Sequence, residues 1–321
     1  MNITRLAVFA TVLIATAACL QTDIAVGAGN AGSNPVLKVK PHKTLPWKEL
    51  YFQGGKGFSR ITASVRLRPS REFCPKSIKN AVSDFMPCPL PGRDLGIISV
   101  ETAVSTLIPP QSEYSQHVWF NTKTGSALQR IRLKNGTHPW LKAYRWQEDG
   151  VSRLKIRPDK PEEFSLPPDK WNKRHASFFK YPQKEVKACP VISESTVLLH
   201  LLSMIDVGKT RFPFQLCVFG KKRLHRVTVH LAKLKPLKIA FESYGLQGER
   251  RIEKTIKPLV FLITSASMDK KGEKDEAFSL LGLQDDIYIF LDPGTRLPVR
   301  LIGQTKRFGE MIIALTGAWI N

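Results

Sequence analysis

Apolar and polar residues alternate with a period of two through much of the chain. In residues 61–68, Ile, Ala, Val and Leu occupy one set of alternate positions, and Thr, Ser and Arg occupy the other. The alternation returns in residues 98–108 and in the last run, residues 311–319. A period of two is typical of antiparallel strands with one buried and one solvated face.

Turn sequences separate several of these runs and predict hairpins. The turns are Asn-Thr-Lys-Thr-Gly at 121–125, Asp-Gly at 149–150, Gly-Lys-Lys at 220–222 and Asp-Pro-Gly-Thr at 292–295. Short turns rich in Gly, Asn and Asp between apolar runs favour antiparallel pairing of the flanking strands.

One segment has helical rather than strand spacing. Apolar residues recur three and four positions apart between residues 197 and 205, and Ser193 is the predicted N-cap. Because Leu199 and Met204 make the segment apolar on nearly every side, we expect this helix to be buried against the sheet.

Together these elements predict an all-β domain that spans residues 47–321. Roughly a dozen antiparallel strands with one packed helix indicate a meander that forms a barrel, a half-barrel or a large curved sheet. A sheet of that size must curl to hide its edges. Two stretches without the alternation, about 69–95 and 158–190, are expected to be insertions in this single domain.

The N-terminus has the pattern of an export signal. Arg5 precedes an uncharged apolar run of 13 residues, Leu6–Ala18, which is shorter than the roughly 20 residues that a membrane-spanning helix needs. Residues 1–28 therefore read as a signal peptide. Residues 29–46 read as a flexible linker, because they combine Gly, Asn, Ser, Pro and Lys without periodicity.

Two processing sites stay open. The sequence before Cys19 resembles a lipoprotein signal, in which the signal ends at residue 18 and Cys19 carries the lipid. The alternative is ordinary cleavage after Ala28, which follows small residues at the right spacing. Both routes predict a periplasmic protein, either soluble or lipid-anchored to the membrane.

The cysteines favour disulfides in the exported form. Of the five cysteines, Cys19 is removed from pairing by either route, and Cys74, Cys88, Cys189 and Cys217 remain. An even set in an oxidising compartment is typical of disulfide bonding. We expect the local pairs Cys74–Cys88 and Cys189–Cys217; the alternative is that the four are buried free thiols.

The charge balance points to anionic partners. The chain has 49 Lys and Arg against 27 Asp and Glu, a formal net charge of +22. Such a field attracts anionic lipid headgroups or acidic envelope components, and the alternative is a basic surface without a partner. Lys221, Lys222 and Arg223 at a predicted hairpin tip are the candidate anion-binding residues. Export from the cytoplasm argues against nucleic acid, and membrane association would be peripheral or through the lipid.

The sequence contains no recognisable catalytic motif. A Gly-x-Ser-x-Gly elbow, a His-Glu-x-x-His zinc motif and a phosphate-binding glycine loop within the domain are all missing from it. The closest two histidines, His225 and His230, lie five apart on a predicted strand and so point to opposite faces. We therefore predict no catalytic, cofactor-binding or metal-binding residue and no cofactor, which makes an enzyme the least favoured class.

Several segments together resemble a known family. They include Gly54-Gly55-x-Gly57-Phe58, Val218 to Lys222, and Leu291-Asp292-Pro293, in that order along the chain. In order and spacing the chain resembles the exported proteobacterial domain-of-unknown-function 3108 family, or a close relative of it, over most of residues 48–320. The resemblance implies a periplasmic β-rich domain without known activity, so it implies no catalytic residues. The stretch 158–190 and the cysteines near 74 and 88 depart from the shorter members.

Two functions remain as hypotheses. The first is a non-catalytic binding module that holds an anionic amphiphile, a lipid or a lipidated partner, against an apolar concave face with basic residues at its rim. The periplasmic lipoprotein carriers provide the architectural analogy. The second is a structural or assembly factor that docks an envelope protein or another envelope component through a sheet edge or a basic patch.

Overall fold

The computed structural model describes residues 47–57, 59–69, 76–85, 94–105, 112–233, 235–246, 248–268, 277–306 and 308–320. The predicted signal peptide and linker, the candidate lipid attachment site Cys19 and the predicted pair Cys74–Cys88 lie outside these residues.

Strands dominate the described part of the chain, which contains eighteen of them in one sheet. They are β1 (Trp47–Lys56), β2 (Ser59–Pro69), β3 (Leu95–Ser105), β4 (Ser112–Asn121), β5 (Ala127–Gly136), β6 (Trp140–Trp146), β7 (Gly150–Arg157), β8 (Lys173–Lys180), β9 (Ile192–Ser193), β10 (Phe214–Phe219), β11 (Leu224–Ala232), β12 (Leu237–Gly245), β13 (Gly248–Ile256), β14 (Leu259–Ser267), β15 (Ser279–Leu280), β16 (Leu283–Leu291), β17 (Pro298–Thr305) and β18 (Gly309–Ile320). The helices are α1 (Lys76–Val82), α2 (Gln183–Val186) and α3 (Val197–Met204), with two short 3-10 helices at Pro161–Ser165 and Pro168–Lys170.

The strand pairing gives one long antiparallel sheet. Its order is β10–β11–β14–β16–β17–β18–β1–β2–β3–β4–β5–β6–β7–β8. Strand β9 adds to β10 in parallel, and the β12–β13 hairpin joins β18 in parallel at Gly317–Trp319. Within the described residues β8 and β10 do not pair with each other, so the sheet is curved but unclosed. The prediction of an all-β domain with a large curved sheet is confirmed.

The four predicted hairpins all form, with one correction. The turn at 121–125 joins β4 to β5, and Asn121 Oδ1 accepts hydrogen bonds from the backbone N–H of Lys123 (2.9 Å) and Thr124 (3.0 Å). The prediction of a two-residue turn at 149–150 is wrong, because Gly150 already belongs to β7 and pairs with Lys180. Gly150 is required there since a Cβ would clash with the carbonyl oxygen of Phe179.

Helix α3 lies where the sequence predicts, and all eight of its residues are buried. Its predicted N-cap is wrong. Ser193 belongs to β9, where it pairs with Val218, and its hydroxyl donates to the carbonyl of Gly125 (2.6 Å). The carboxylate of Glu194 accepts from the Thr196 N–H (2.7 Å) at the helix start.

The hydrophobic core divides between the two faces of the sheet. The main core surrounds α3 on the inner face and includes Phe52, Val118 and Phe261. A second core lies on the outer face of β3–β7, where α1 and Trp171 pack against Trp119. The inner face of β2–β5 therefore adjoins the main core and α3, and the second core lies on the other side of the same sheet.

The segment 158–190 is more than an insertion. Residues Lys173–Lys180 form β8, which pairs with β7 along its whole length and extends the sheet. Trp171 anchors the start of this strand, because its indole N–H donates to the carbonyl of Glu163 (3.0 Å). In the described part of 69–95, α1 is the main element.

A disulfide joins Cys189 to Cys217, with Cα atoms 5.5 Å apart. This is the second of the two predicted pairs. It connects the segment after β8 to β10, so it bridges the two ends of the open sheet. None of the helices in the described residues is long and apolar enough to span a membrane.

Candidate ligand-binding site

A cavity of about 250 Å³ lies on the inner face of the sheet, between β2–β5 and the turn that joins β10 to β11. One side of its lining is apolar and includes Ile61, Val100 and Leu281, which belong to the main core. The side formed by β4 and β5 is polar and carries Arg130 and Arg132, and Gln116 lies between Val100 and Arg132 in the strand register. The cavity therefore has an apolar wall and a cationic wall.

Arg130 is buried at the cationic wall and is held from several directions. Its Nη1 lies 3.1 Å from Glu194 Oε1, and its Nη2 donates to the carbonyl of Gly220 (2.7 Å). Its guanidinium stacks on the ring of Tyr144 at 4.1 Å from the centroid. Hydrogen bonds to two separate acceptors and stacking on an aromatic face fix the planar guanidinium in one orientation.

Glu194 connects this wall to helix α3. Besides Arg130, its carboxylate accepts from Gln116 Nε2 (3.2 Å) and from the Thr196 N–H (2.7 Å). Strand β4, strand β5 and the start of α3 thus share one buried carboxylate. Because a buried charge is tolerated only when it is paired and hydrogen-bonded, this network holds the cavity wall rigidly.

Two buried polar atoms beside this network have no hydrogen-bond partner among the described residues. They are Arg130 Nε and the hydroxyl oxygen of Tyr144. Most buried polar atoms in folded proteins are satisfied by protein or by water. A bound solvent or ligand atom would supply the hydrogen bonds that these two positions lack.

A row of three cations continues from the cavity across the sheet. Arg132 of β5 stands directly opposite Lys142 of β6, and Lys142 stands directly opposite Lys155 of β7. Directly opposed residues have Cβ atoms about 4.5–5.5 Å apart. We call Arg132, Lys142 and Lys155 the cation row. Within the described part of the chain none of the three forms an ion pair.

The cation row sits in a positive local field. The pKa of Lys142 is lowered from its ordinary value of 10.5 to about 8. Burial is the largest cause, and neighbouring cations add to it: Arg132, Lys155, Arg153 and Lys221. Burial also lowers the pKa of Arg132, and the guanidinium of Arg130 lowers it further. An anion at this position would relieve the repulsion.

The three candidate residues at the predicted hairpin tip separate in the structure. Lys221 is exposed and lines the cavity, whereas Lys222 is exposed on the same turn outside the lining. Arg223 is buried, with 8% of its surface exposed. Only Lys221 of the three is brought to the cavity.

Sequence reasoning missed Arg130 and the cation row. A signal was present: positions 130 and 132, 142, and 153 and 155 are basic at alternate positions of three successive strands. Their common face becomes visible only once the register of β5, β6 and β7 is known.

The described histidines and acids do not form a metal site. Among the described residues no cluster of three or more His, Cys, Asp or Glu side chains is arranged to hold a metal ion. His225 is buried and His230 is half-buried on β11.

A second, larger groove of about 720 Å³ lies on the outer face of β1–β4. Its central cation, Arg66, contacts both Glu49 (2.5 Å) and Glu101 (3.4 Å). Acidic side chains outnumber Arg66 in that groove, because Glu101 and Glu113 both line it, whereas the inner cavity adjoins the cation row. The inner cavity is therefore the stronger candidate for an anionic ligand.

Comparisons with known proteins show a likeness at the level of solved structures. No family model matches the chain, and no curated protein matches it. Among solved structures, the chain is similar to a crystal structure of a beta-barrel-like protein of the domain of unknown function DUF1849 from Brucella abortus. The two share 11% sequence identity with a TM-score of 0.36, over 85% of this chain and 96% of that one. The resemblance to the 3108 family stays a prediction.

Proposed function

We propose that this protein is a non-catalytic binding module for an anionic amphiphile in the periplasm. The observation that carries the proposal is the divided lining of the inner cavity, which presents Ile61 and Val100 on one side and Arg132 on the other. An apolar chain would lie against the first side and a negative headgroup against the second.

The two walls would contribute differently to binding. Burial of an apolar chain provides about 0.8 kcal/mol per methylene, so the apolar wall would supply most of the affinity. The cations would orient the headgroup and speed capture, and exposed charges such as Lys221 would act less at high salt. At about 250 Å³ the cavity is below the range of about 300–1,000 Å³ typical of drug-sized ligands. A single short chain fits it better than a diacyl lipid.

A chain-length-matched pair of probes tests the proposal. We expect decanoate to bind in isothermal titration calorimetry and decanol to bind more weakly, because only decanoate carries a charge. Val104→Trp should fill the cavity, which Val104 lines, and reduce decanoate binding. Ile312→Trp is the matched control, since Ile312 is an exposed apolar residue on β18. If both variants bind decanoate like the wild type, the cavity is not the site.

The exposed lysines of the β10–β11 turn test the role of the rim. Changing Lys221 and Lys222 together to Glu should reduce flotation with vesicles that contain phosphatidylglycerol, and the effect should fade at high salt. Arg223 is left unchanged because it is buried. Equal flotation of the wild type and the double variant at low salt would show that Lys221 and Lys222 do not contribute to binding of the vesicles.

Export is part of the same proposal and rests on the N-terminal pattern. N-terminal mass spectrometry of the native protein should find a chain that begins at Cys19 or after Ala28. Labelled fatty acid that is incorporated by the wild type but not by Cys19→Ala would select the lipoprotein route. A cytosolic protein that begins at Met1 would contradict both routes.

An assembly factor remains the second candidate because of one strand. Within the described residues β8 pairs only with β7, so one of its edges is open to another strand. Phe178 on this strand is 47% exposed, and the strand begins and ends with lysine, at Lys173 and Lys180. Mass spectrometry of the envelope-purified protein separates the two candidates: a co-purified amphiphile supports the first, and a stoichiometric envelope protein without lipid supports the second.

A further inference from the structure

The hydrogen-bond network around Glu194 does not neutralise the charge of the cation row. Arg130 is neutralised by Glu194 at 3.1 Å. Arg132, Lys142 and Lys155 have no such partner among the described residues. Like charges directly opposite each other on neighbouring strands destabilise a sheet. Three in succession form an arrangement that an anion would stabilise.

The local surroundings keep the row in place without neutralising it. The ammonium of Lys142 lies 4.1 Å from the centroid of the Trp140 ring, and the guanidinium of Arg132 lies 5.7 Å from the same ring. On the adjacent part of β7, Arg153 stacks on Phe179 at 4.8 Å, and its Nε is buried without a hydrogen-bond partner in the described chain. Aromatic faces hold the cations through their quadrupoles and leave the charge itself available.

The number and type of these cations indicate the anion. A carboxylate carries one negative charge, whereas a phosphomonoester carries about two at neutral pH and offers three acceptor oxygens. Arg presents a planar fork that suits phosphate oxygens, and Lys adds a point charge. A dianion would offset two of the three unpaired charges, and a carboxylate only one.

We propose that the cation row binds a phosphoryl group that carries about two negative charges. Because Arg132 belongs both to the row and to the cavity lining, a ligand with its chain in the cavity would place its headgroup there. This placement rests on the proposed function, but phosphoryl binding itself does not. The phosphoryl group belongs either to an amphiphile or to a free phosphate.

Three probes separate these sources: decyl phosphate, decanoate with the same class of chain, and inorganic phosphate without a chain. We expect the wild type to bind decyl phosphate about tenfold more tightly than decanoate, which corresponds to one additional charged hydrogen bond. Inorganic phosphate should bind weakly and compete with decyl phosphate.

Lys142→Met is the decisive variant. It should weaken decyl phosphate binding about tenfold, because one charge-assisted contact is lost, and change decanoate binding much less. The variant keeps a long side chain over Trp140 and removes a half-buried charge, so thermal denaturation should show a fold at least as stable as the wild type. Lys235→Met is the control, since it removes one exposed charge from outside the row.

The outcomes distinguish the two proposals. Equal binding of decyl phosphate and decanoate, with no effect of Lys142→Met, overturns the phosphoryl site and leaves amphiphile binding standing. Phosphate binding that depends on Lys142, without binding of either amphiphile, supports the phosphoryl site and overturns the proposed function. Equal losses in Lys142→Met and Lys235→Met would indicate general charge attraction and overturn the site.

Discussion

Arg130 and Glu194 are buried together, with 3% and 1% of their side chains exposed. Removing one partner leaves the other as an uncompensated buried charge, which typically destabilises a protein by about 3–5 kcal/mol. We therefore expect Arg130→Met to lower the free energy of unfolding by that amount in guanidinium titrations. The double variant Arg130→Met, Glu194→Gln should recover part of the loss, because no unpaired charge remains.

The exposed pair Lys238–Glu253 provides the control for this prediction. Its side chains are 72% and 51% exposed, so water screens the interaction and Lys238→Met should change stability little. A loss in Lys238→Met as large as in Arg130→Met would show that burial does not set the strength of the pair.

Lys142 makes stability depend on pH at alkaline values. Its pKa is about 8 in the folded protein and near 10.5 in the unfolded chain. Burial and the facing cations cause the difference: Arg132 on β5, Lys155 and Arg153 on β7, and Lys221 on the β10–β11 turn. Below about pH 8 both states are protonated, so the folded state carries the full penalty of a charged Lys142. Between about pH 8 and 10.5 the unfolded state binds more protons, and this contribution to stability rises with pH.

Lys142→Met should therefore be more stable than the wild type at pH 7, and the difference should shrink as the pH rises through this range. Urea titrations of both proteins at several pH values measure it. Lys235→Met, which is exposed, should show no such convergence. A stability difference that is constant with pH would contradict the assignment to Lys142. Residues that lower the stability of the folded state are typical of binding sites, where function limits stability.

At the level of single elements, the end of helix α3 depends on one arginine. The guanidinium of Arg296 donates to the carbonyls of Ser203 (3.3 Å) and Leu202 (3.4 Å) and also to that of Ile205. The last carbonyls of a helix have no partner within it, and a cation there also interacts favourably with the helix dipole. Arg296→Met should therefore lower the free energy of unfolding by about 1–3 kcal/mol.

Arg211→Met is the matched control, because Arg211 is exposed in the segment after the same helix. It should leave stability nearly unchanged in the same denaturation experiment. Equal losses in the two variants would show that the carbonyl contacts of Arg296 do not stabilise α3.

The sequence predicts best the elements whose buried residues recur with the period of a helix or of a strand. Helix α3 and the hairpin at 121–125 each have apolar positions that repeat with the period of the structure. The sequence predicts only an insertion where β8 forms, because most residues of this strand are exposed on both faces at a sheet edge. Strand β8 has no fully buried face that would require apolar residues at alternate positions. The predicted cap at Ser193 is wrong because β9 pairs with β10, a contact between distant segments that local spacing does not show.

The candidate site was predictable only in part. The turn that carries Lys221 is visible in the sequence, since Gly-Lys-Lys separates two apolar runs. The cation row is not, because it exists only through the register between β5, β6 and β7. Register depends on pairing partners that no single strand encodes.

On the scale of the whole domain, the ends of the open sheet meet without strand pairing. Phe219 of β10 packs against Phe179 of β8, with ring centroids 5.8 Å apart, and against Tyr144 of β6 at 6.4 Å. The cavity lies beside this junction, because Gly220 and Lys221 follow Phe219 directly and line it. What holds the two ends together should therefore also influence binding.

The Cys189–Cys217 disulfide is the covalent link across this junction, and it closes a loop with a sequence separation of 28 residues. A bridge over a loop of this length typically contributes about 2–4 kcal/mol, mainly by restricting the unfolded chain. The double variant Cys189→Ser, Cys217→Ser should therefore unfold at lower denaturant concentration by that free energy. It should also bind decanoate more weakly than the wild type, because Lys221 lies four residues after Cys217 on the cavity wall.

The variant is preferable to a reducing agent, because a reducing agent would also act on a Cys74–Cys88 bridge. Non-reducing peptide mapping of the wild type tests both predicted bridges. Unchanged stability and binding in the variant would mean that the aromatic contacts alone hold the ends of the sheet together.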